Sequence, residues 1–401
     1  MSDTLDLTVG PVAHGGFCVA RQPDGRVVFV RHALPGERVQ AMVTEDRGGS
    51  YLRADAVRVL APSPDRVPAP CPVARPGGCG GCDWQHAAAA AQRALKAQVV
   101  RQALARIAGL DVAVQVEVLD GEQADGGLLG WRTRVQLAVG PDGRAGLHAH
   151  RSGRVVPLDD CPLVVPGTLS PVLAARWPPG GTVEVVRDAE GAVHVTLVEP
   201  GPSARGRRRR RVQGSGVAVQ HAAGRRWRVS VDGFWQVHTE AARVLAAAVN
   251  TFANAPVGGV AWDLYGGVGL FAAGLAAQVG TTGSVVLVES SRPAVADAAA
   301  NLADLPRVQV RAGRVERVLR SLPGTPDVVV VDPPRRGLGR PLAHALADRA
   351  PARIVHVACD PAALARDVAA YADRGYHLAA LRAFDAFPMT HHIECVALLT
   401  R

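Results

Sequence analysis

Lysine is almost missing from this chain: Lys96 is the only one among 45 lysine and arginine residues. An arginine bias this extreme reads as genome base composition, which tempers any inference from the formal net charge of +9. The excess still points toward a polyanionic partner. Aromatic residues are scarce at 4%, so the cores must be built mostly of alanine, valine and leucine. No apolar run approaches the roughly 18 residues that a membrane-spanning helix needs. Met1–Gly10 carries Asp3 and Asp6 and has neither the basic nor the apolar region of a secretory leader. A cytoplasmic protein, with neither a membrane-spanning helix nor a secretory leader, is therefore expected. In that reducing setting the seven cysteines are not a disulfide framework.

What is present is a core-forming composition, 48% hydrophobic and 20% charged. The 401 residues exceed one ordinary domain of roughly 100–200 residues. Three parts are expected, 1–60, 61–230 and 231–401. In the first, Val27–Arg31 follows the turn Pro23-Asp24-Gly25, and Val39–Val43 follows Leu34-Pro35-Gly36-Glu37. Short strands and tight turns predict a small β-barrel of the OB type. The proline-rich stretch Ala61–Pro76 reads as a boundary. Ala87–Leu110 has helical spacing, and residues 112–200 return to short strands, including Arg132–Val139 and Val193–Val198. This middle part is a mixed α+β region. Arg205–Arg211 holds six arginines in seven residues. It reads as a solvated or disordered loop, with a phosphate-contacting loop as the sharper alternative.

From about residue 230 short apolar runs alternate with alanine-rich helical segments. The runs are Val260–Leu264, Ser284–Val288, Val308–Arg311, Asp327–Val331 and Arg353–Val357. This is the βαβ rhythm of an α/β, Rossmann-like parallel sheet. Tyr376–Ala383 and His392–Leu399 lack a helix between them and suggest a closing antiparallel hairpin.

Ligands bind such sheets outside the carboxyl ends of the strands. Asp263-Leu264-Tyr265-Gly266-Gly267-Val268-Gly269 leaves the first strand, where glycines let backbone approach a ligand. Glu289 ends the next strand, where a carboxylate can accept ribose hydroxyls. Gly267-x-Gly269-x-x-Ala272 also fits a dinucleotide fingerprint, so NAD stays open on this feature alone. Asp332-Pro333-Pro334-Arg335-Arg336-Gly337 ends the fourth strand as a stiff loop able to flank a planar base.

Cys359-Asp360-Pro361 ends the fifth strand just before a helical segment, whose amino end favours thiolate. Glu394 sits inside an otherwise apolar strand, where a carboxylate is costly unless exposed, paired or functional. One chemistry joins the two. Carbon 5 of uracil is a poor nucleophile until a thiolate adds to carbon 6. A base must later remove the carbon-5 proton so that the thiol can leave.

Upstream, Cys71-x7-Cys79-Gly80-Gly81-Cys82, with Cys161-Pro162, offers four thiolates. These suit a [4Fe–4S] cluster or a structural zinc. Cys18 and Cys395 read as buried hydrophobes. Trp131-Arg132-Thr133-Arg134 is a candidate RNA contact or a strand with one solvated face.

Taken in order, Phe234-Trp235-Gln236-Val237, Asp263–Gly269, Asp332–Gly337, Cys359-Asp360-Pro361 and His391–Val396 resemble the S-adenosylmethionine-dependent RNA uridine-5-methyltransferases. The resemblance implies a class I methyltransferase domain, with Cys359 as nucleophile and Glu394 as general base. It also implies cofactor contacts from Gln236, Tyr265, Glu289 and Asp332. Cys79-Gly80-Gly81-Cys82 followed by Asp83-Trp84-Gln85-His86 resembles the iron–sulfur members and favours [4Fe–4S] on Cys71, Cys79, Cys82 and Cys161. Gly15-Gly16, Val28-Phe29-Val30 and Leu34–Glu37 resemble the small RNA-binding TRAM barrel. His238, Gly266 and Ala358–Pro361 depart from the family, which has Asn, Cys and Ser-Cys-Asn-Pro there. Asp360 adds a charge that opposes thiolate.

The expected function is 5-methyluridine formation in structured RNA, ribosomal ahead of transfer RNA, by a monomer without membrane association. A non-catalytic iron–sulfur RNA-binding protein and an NAD-dependent enzyme are the rivals.

Overall fold

The computed structural model describes residues 4–119, 127–201 and 206–401; Asp3 and Arg205 lie outside the described residues. Near the amino end the strands Thr4–Thr8, Arg38–Asp46, Tyr51–Ala61, Val27–Arg31, Phe17–Arg21 and Val12–Ala13 form one barrel-like sheet, in that spatial order. Alternating side chains Val28, Val30, Val39, Ala41 and Leu52 fill its interior. Phe17, Phe29 and Tyr51 run edge to face along its surface, with the Arg53 guanidinium 5.0 Å from the Tyr51 ring.

The helix Ala89–Ala103 ties two cores together. Its Ala91, Leu95 and Val99 close the barrel, whereas Val100 and the following Leu104 enter the core of the carboxyl-terminal sheet. Its Lys96 is fully buried, with Nζ 2.5 Å from Asp385 Oδ1 and 3.0 Å from the Phe387 carbonyl.

The middle sheet is antiparallel, in the order Val155–Pro157, Ala145–His148, Arg134–Val139, Thr182–Arg187, Val193–Pro200 and Arg207–Gln213. Its last member corrects the loop expected for the arginine run. Arg207–Arg211 lie in an edge strand paired with Val193–Pro200, and every residue of it is exposed. The charges sit where an unpaired edge would otherwise recruit another chain. A hairpin of Val217–Ala222 and Arg225–Ser230 follows. Asn301 anchors it by accepting from Arg228 N–H at 2.9 Å and donating to Arg228 O at 3.0 Å.

The carboxyl-terminal sheet runs Val308–Ala312, Ser284–Glu289, Val260–Leu264, Val328–Val331, Arg353–Ala358, Glu394–Thr400, His377–Phe384 and Val116–Glu117. The first five pair in parallel. Glu394–Thr400 is antiparallel to both of its neighbours, which is the closing hairpin expected. Val260–Leu264, Ser284–Glu289, Val328–Val331 and Arg353–Ala358 are largely buried on both faces and read as near-continuous apolar runs for that reason, whereas the edge strand Val308–Ala312 is partly exposed. Val116–Glu117 is a short edge strand that the middle of the chain donates to this sheet. Chain order reverses between Val260–Leu264 and Val328–Val331, the switch point where open sheets hold ligands. Among the described residues no helix is long and apolar enough to cross a membrane.

Candidate active site

A cleft of about 780 Å³ opens at this switch point. Gln236, Tyr265, Glu289, Asp332, Cys359 and Glu394 all line it. The six residues come from six separate places in the chain, and the strand ends bring them together.

The glycine turn is shaped by close approach. Tyr265 and Gly267 have positive φ (64° and 55°). A β-carbon on Gly266 would stand 2.6 Å from Leu287 Cγ and 2.9 Å from Asp263 Oδ2. With Leu287 beneath it, the turn has no room for the family's cysteine. Asp263 is fully buried. Its Oδ2 accepts from Ala272 N–H at 2.9 Å, while its Oδ1 has no partner. Burial, with Asp332 and Glu289 nearby, pushes Asp263 up to about 7. Glu289 accepts from Gly267 N–H at 3.1 Å, and from Ser290 and Ser291 N–H at 2.6 Å each. Its carboxylate is thereby fixed at the cleft rim. Gln236 is nearly buried, whereas Phe234, two residues earlier, is 66% exposed at the mouth.

Cys359 and Glu394 meet through sheet register. Ala358 pairs with Cys395 across the antiparallel ladder; one further step sets Cys359 opposite Glu394, on one face. Asp360 caps the following helix, Pro361–Ala372, by accepting from Ala363 N–H at 2.7 Å. The thiolate expected from that helix end is not the resting state. Burial, then the charges of Glu394 and Asp332, push the Cys359 thiol up to about 12, against a small opposing pull from Arg335. Helix-end stabilisation is modest, and burial of the thiol outweighs it. Burial also holds Glu394 well above the usual carboxylate range, with Asp332 adding and Arg335 opposing. Burial pushes Asp332 up to about 7. Glu394 is 4% exposed, so it does not occupy a solvated strand edge.

Sequence reasoning missed the pair on the far wall. Asp83 Oδ2 lies 2.6 Å from His391 Nδ1 and accepts from His391 N–H at 3.2 Å. The two residues are 308 positions apart. Their only sequence signal was a charged residue directly after Cys82. In Trp131–Arg134, Trp131 is buried, stacks on His238 at 5.6 Å and lines the cleft. Arg132 lines it too.

Cys71, Cys82 and Cys161 share one buried cluster. Burial raises the Cys82 thiol, and the charges of Cys161, Cys71 and Cys79 raise it further. The four thiols are thus gathered beneath Gly80 and Gly81, which form part of the cleft wall. All four are free. Among the described residues no three His, Cys, Asp or Glu side chains are grouped closely enough to hold a metal ion. The cluster expected on Cys71, Cys79, Cys82 and Cys161 is therefore not supported by the geometry, which gathers the thiols without closing a ligand set. Cys18 and Cys395 are both fully buried, as their apolar surroundings implied.

A second recess, of about 790 Å³, lies between the barrel and the helix Ala89–Ala103. Its lining is mostly aliphatic, and none of the six residues above reaches it. The chemistry belongs to the first cleft, where acids, a thiol and glycine backbone converge.

Comparison with known proteins bears on the fold and the family. The TRAM domain model matches residues 3–57, and the tRNA (Uracil-5-)-methyltransferase model matches residues 324–401. An uncharacterized RNA methyltransferase of Streptomyces avermitilis is 45% identical over 100% of this chain and 98% of its own. One from Corynebacterium glutamicum is 37% identical over 100% of both. The crystal structure of Pyrococcus abyssi tRNA (uracil-54, C5)-methyltransferase in complex with S-adenosyl-L-homocysteine superposes with a TM-score of 0.73. It covers 98% of this chain and 99% of that one, at 22% identity, and shows a shared fold. Sheet order and cleft define a class I methyltransferase fold preceded by a TRAM barrel. The chain belongs to the family of RNA methyltransferases.

Proposed function

We propose that the protein methylates carbon 5 of a uridine in structured RNA through a covalent bond between Cys359 and carbon 6. The observation that carries this reading is the register that sets Cys359 opposite Glu394 inside the cleft. S-adenosylmethionine, when bound, supplies an electrophilic methyl group on a sulfonium. The residues suited to hold it are Gln236, Tyr265, Glu289 and Asp332, beside the unpartnered Asp263 Oδ1 and the glycine turn.

Burial disfavours the charged forms of the cleft's thiol and acids. Positive charge beside Asp332 favours carboxylate over carboxyl and thiolate over thiol, so a cationic ligand readies the site. Cys359 Sγ then adds to carbon 6, and the electron pair moves through carbon 5 onto the carbon-4 oxygen. Carbon 5 takes the methyl group. The Glu394 carboxylate removes the carbon-5 proton, the 5,6 double bond re-forms, and Cys359 leaves as thiolate. The target base must be unstacked for its carbon 6 to be reached.

Ribosomal RNA is the proposed substrate class, on the resemblance of the cysteine motif and accessory barrel. Transfer RNA is the second reading, favoured by the name of the matched family model and by the P. abyssi enzyme. Mapping 5-methyluridine in both RNAs from a deletion strain separates them: loss from transfer RNA alone would reject the ribosomal assignment. We propose further that Cys71, Cys79, Cys82 and Cys161 close around a structural [4Fe–4S] cluster, with zinc as the alternative. The support is the resemblance of the cysteine motif, with Cys71 and Cys82 in one buried cluster against which Cys161 packs.

The covalent step has a direct test. RNA carrying 5-fluorouridine at the target position forms a stable adduct, because fluorine blocks the final proton removal. Cys359→Ala abolishes that adduct. Its persistence in Cys359→Ala would reject Cys359 as nucleophile.

A further inference from the structure

One turn of the barrel reaches the catalytic edge. His14, Gly15 and Gly16 join the strands Val12–Ala13 and Phe17–Arg21, and two of them touch opposite sides of the site. On the nucleophile side, His14 Nε2 lies 3.2 Å from Asp360 Oδ2, and Asp360 directly follows Cys359. The other Asp360 oxygen is committed to capping the helix through Ala363 N–H at 2.7 Å. On the base side, a β-carbon on Gly16 would stand 3.0 Å from His391 Cβ and 3.1 Å from Asp83 Cβ. Arg31 of the barrel lies 3.5 Å from the same Asp83. Trp84 Nε1 donates to Gly16 O at 3.3 Å. The turn is wedged between the nucleophile loop and the base loop.

Asp360 sets an electrostatic problem that the barrel solves. A carboxylate beside the nucleophile opposes thiolate formation, in a cleft where burial, Glu394 and Asp332 already disfavour it. The charged groups facing Asp360 are His14, from the barrel, and Arg366, from the helix it caps. Those facing His14 are Asp360 and Arg366. The bond to Asp360 favours the protonated imidazole over the opposing burial and Arg366. Asp360, the residue that departs from the family's Asn, is therefore met by a basic side chain from another part of the chain.

We propose that His14 is a positioning residue for the nucleophile: its imidazolium neutralises Asp360, so that thiolate formation at Cys359 depends on the docked barrel. This rests on Cys359 being the nucleophile. The test uses the full-length chain and iodoacetamide at pH 7, with alkylation of the Cys359 peptide followed by mass spectrometry. His14→Gln keeps a hydrogen-bond donor for Asp360 but carries no charge, and His14→Ala removes both. Each slows alkylation roughly threefold to tenfold, where one pKa unit is tenfold in thiolate. Adding Asp360→Asn to His14→Gln restores the wild-type rate, because Asn still accepts from Ala363 N–H while the offending charge is gone. Unchanged rates in both His14 variants overturn the proposal. So does a double variant no faster than His14→Gln, the result expected if His14 only held the fold together. The 5-fluorouridine adduct reports separately on the nucleophile, so its survival in Cys359→Ala would reject that assignment without bearing on the alkylation rates.

Discussion

Glu394→Gln isolates the proton-removal step. Glutamine matches glutamate in size, and burial already disfavours charge on the Glu394 carboxyl. As a volume-conserving swap the substitution costs about 1.5 kcal/mol or less in stability. What it removes is a carboxyl group that lines the cleft with Cys359 and interacts with its thiol. A positioned general base contributes about 10²- to 10⁴-fold, or roughly 2.7 to 5.5 kcal/mol of activation free energy. Addition and methyl transfer do not need this base, so they proceed. Release stalls, and the variant accumulates a methylated RNA–protein adduct with natural uridine. The assay is a single-turnover reaction with methyl-labelled donor, resolved on a denaturing gel that separates free RNA from the covalent complex. Turnover at the wild-type rate, or free methylated RNA with no adduct, would refute the role.

Other outcomes are as definite. Cys79→Ser lowers thermal stability and RNA affinity while S-adenosylhomocysteine binding, followed by calorimetry, is retained; loss of that binding in a folded variant refutes a purely structural thiol site. Metal analysis of protein prepared without oxygen decides its content: one equivalent of zinc and no iron excludes the iron–sulfur form. Lys96→Met strands Asp385 as a buried charge and costs about 3–5 kcal/mol, read by denaturant unfolding; a loss below about 1 kcal/mol refutes the pair as a brace. Asp263, raised from 3.8 to about 7, contributes stability that is complete below about pH 4 and is lost as pH rises through about 7. Asp263→Asn removes that dependence, so its melting temperature relative to wild type rises between pH 5 and pH 8. A flat difference across that range contradicts the raised value.

The parts of the site that the sequence revealed are those with local causes. Asp263–Gly269 is legible because strand, turn and helix follow one another, and glycines at the turn answer to neighbouring backbone. Cys359-Asp360-Pro361 is legible for the same reason, since a capping aspartate and a first-turn proline announce a helix. Alternation of apolar runs with alanine-rich segments announced the parallel sheet. The arginine run was misread because edge-strand pairing with Val193–Pro200 is supplied from elsewhere, and strand propensity is weak against such context.

By itself, then, the sequence determined the succession of strands, turns and helices and the chemical inventory at their ends. Those depend on residues close together along the chain. Only the tertiary structure decided that Cys359 faces Glu394, that Asp83 meets His391, and that His14 answers Asp360. It also decided that the helix Ala89–Ala103 closes two cores and that the resting thiol is protonated. Register, burial and the field at a buried group are set by residues far apart in the chain, and no local pattern carries them.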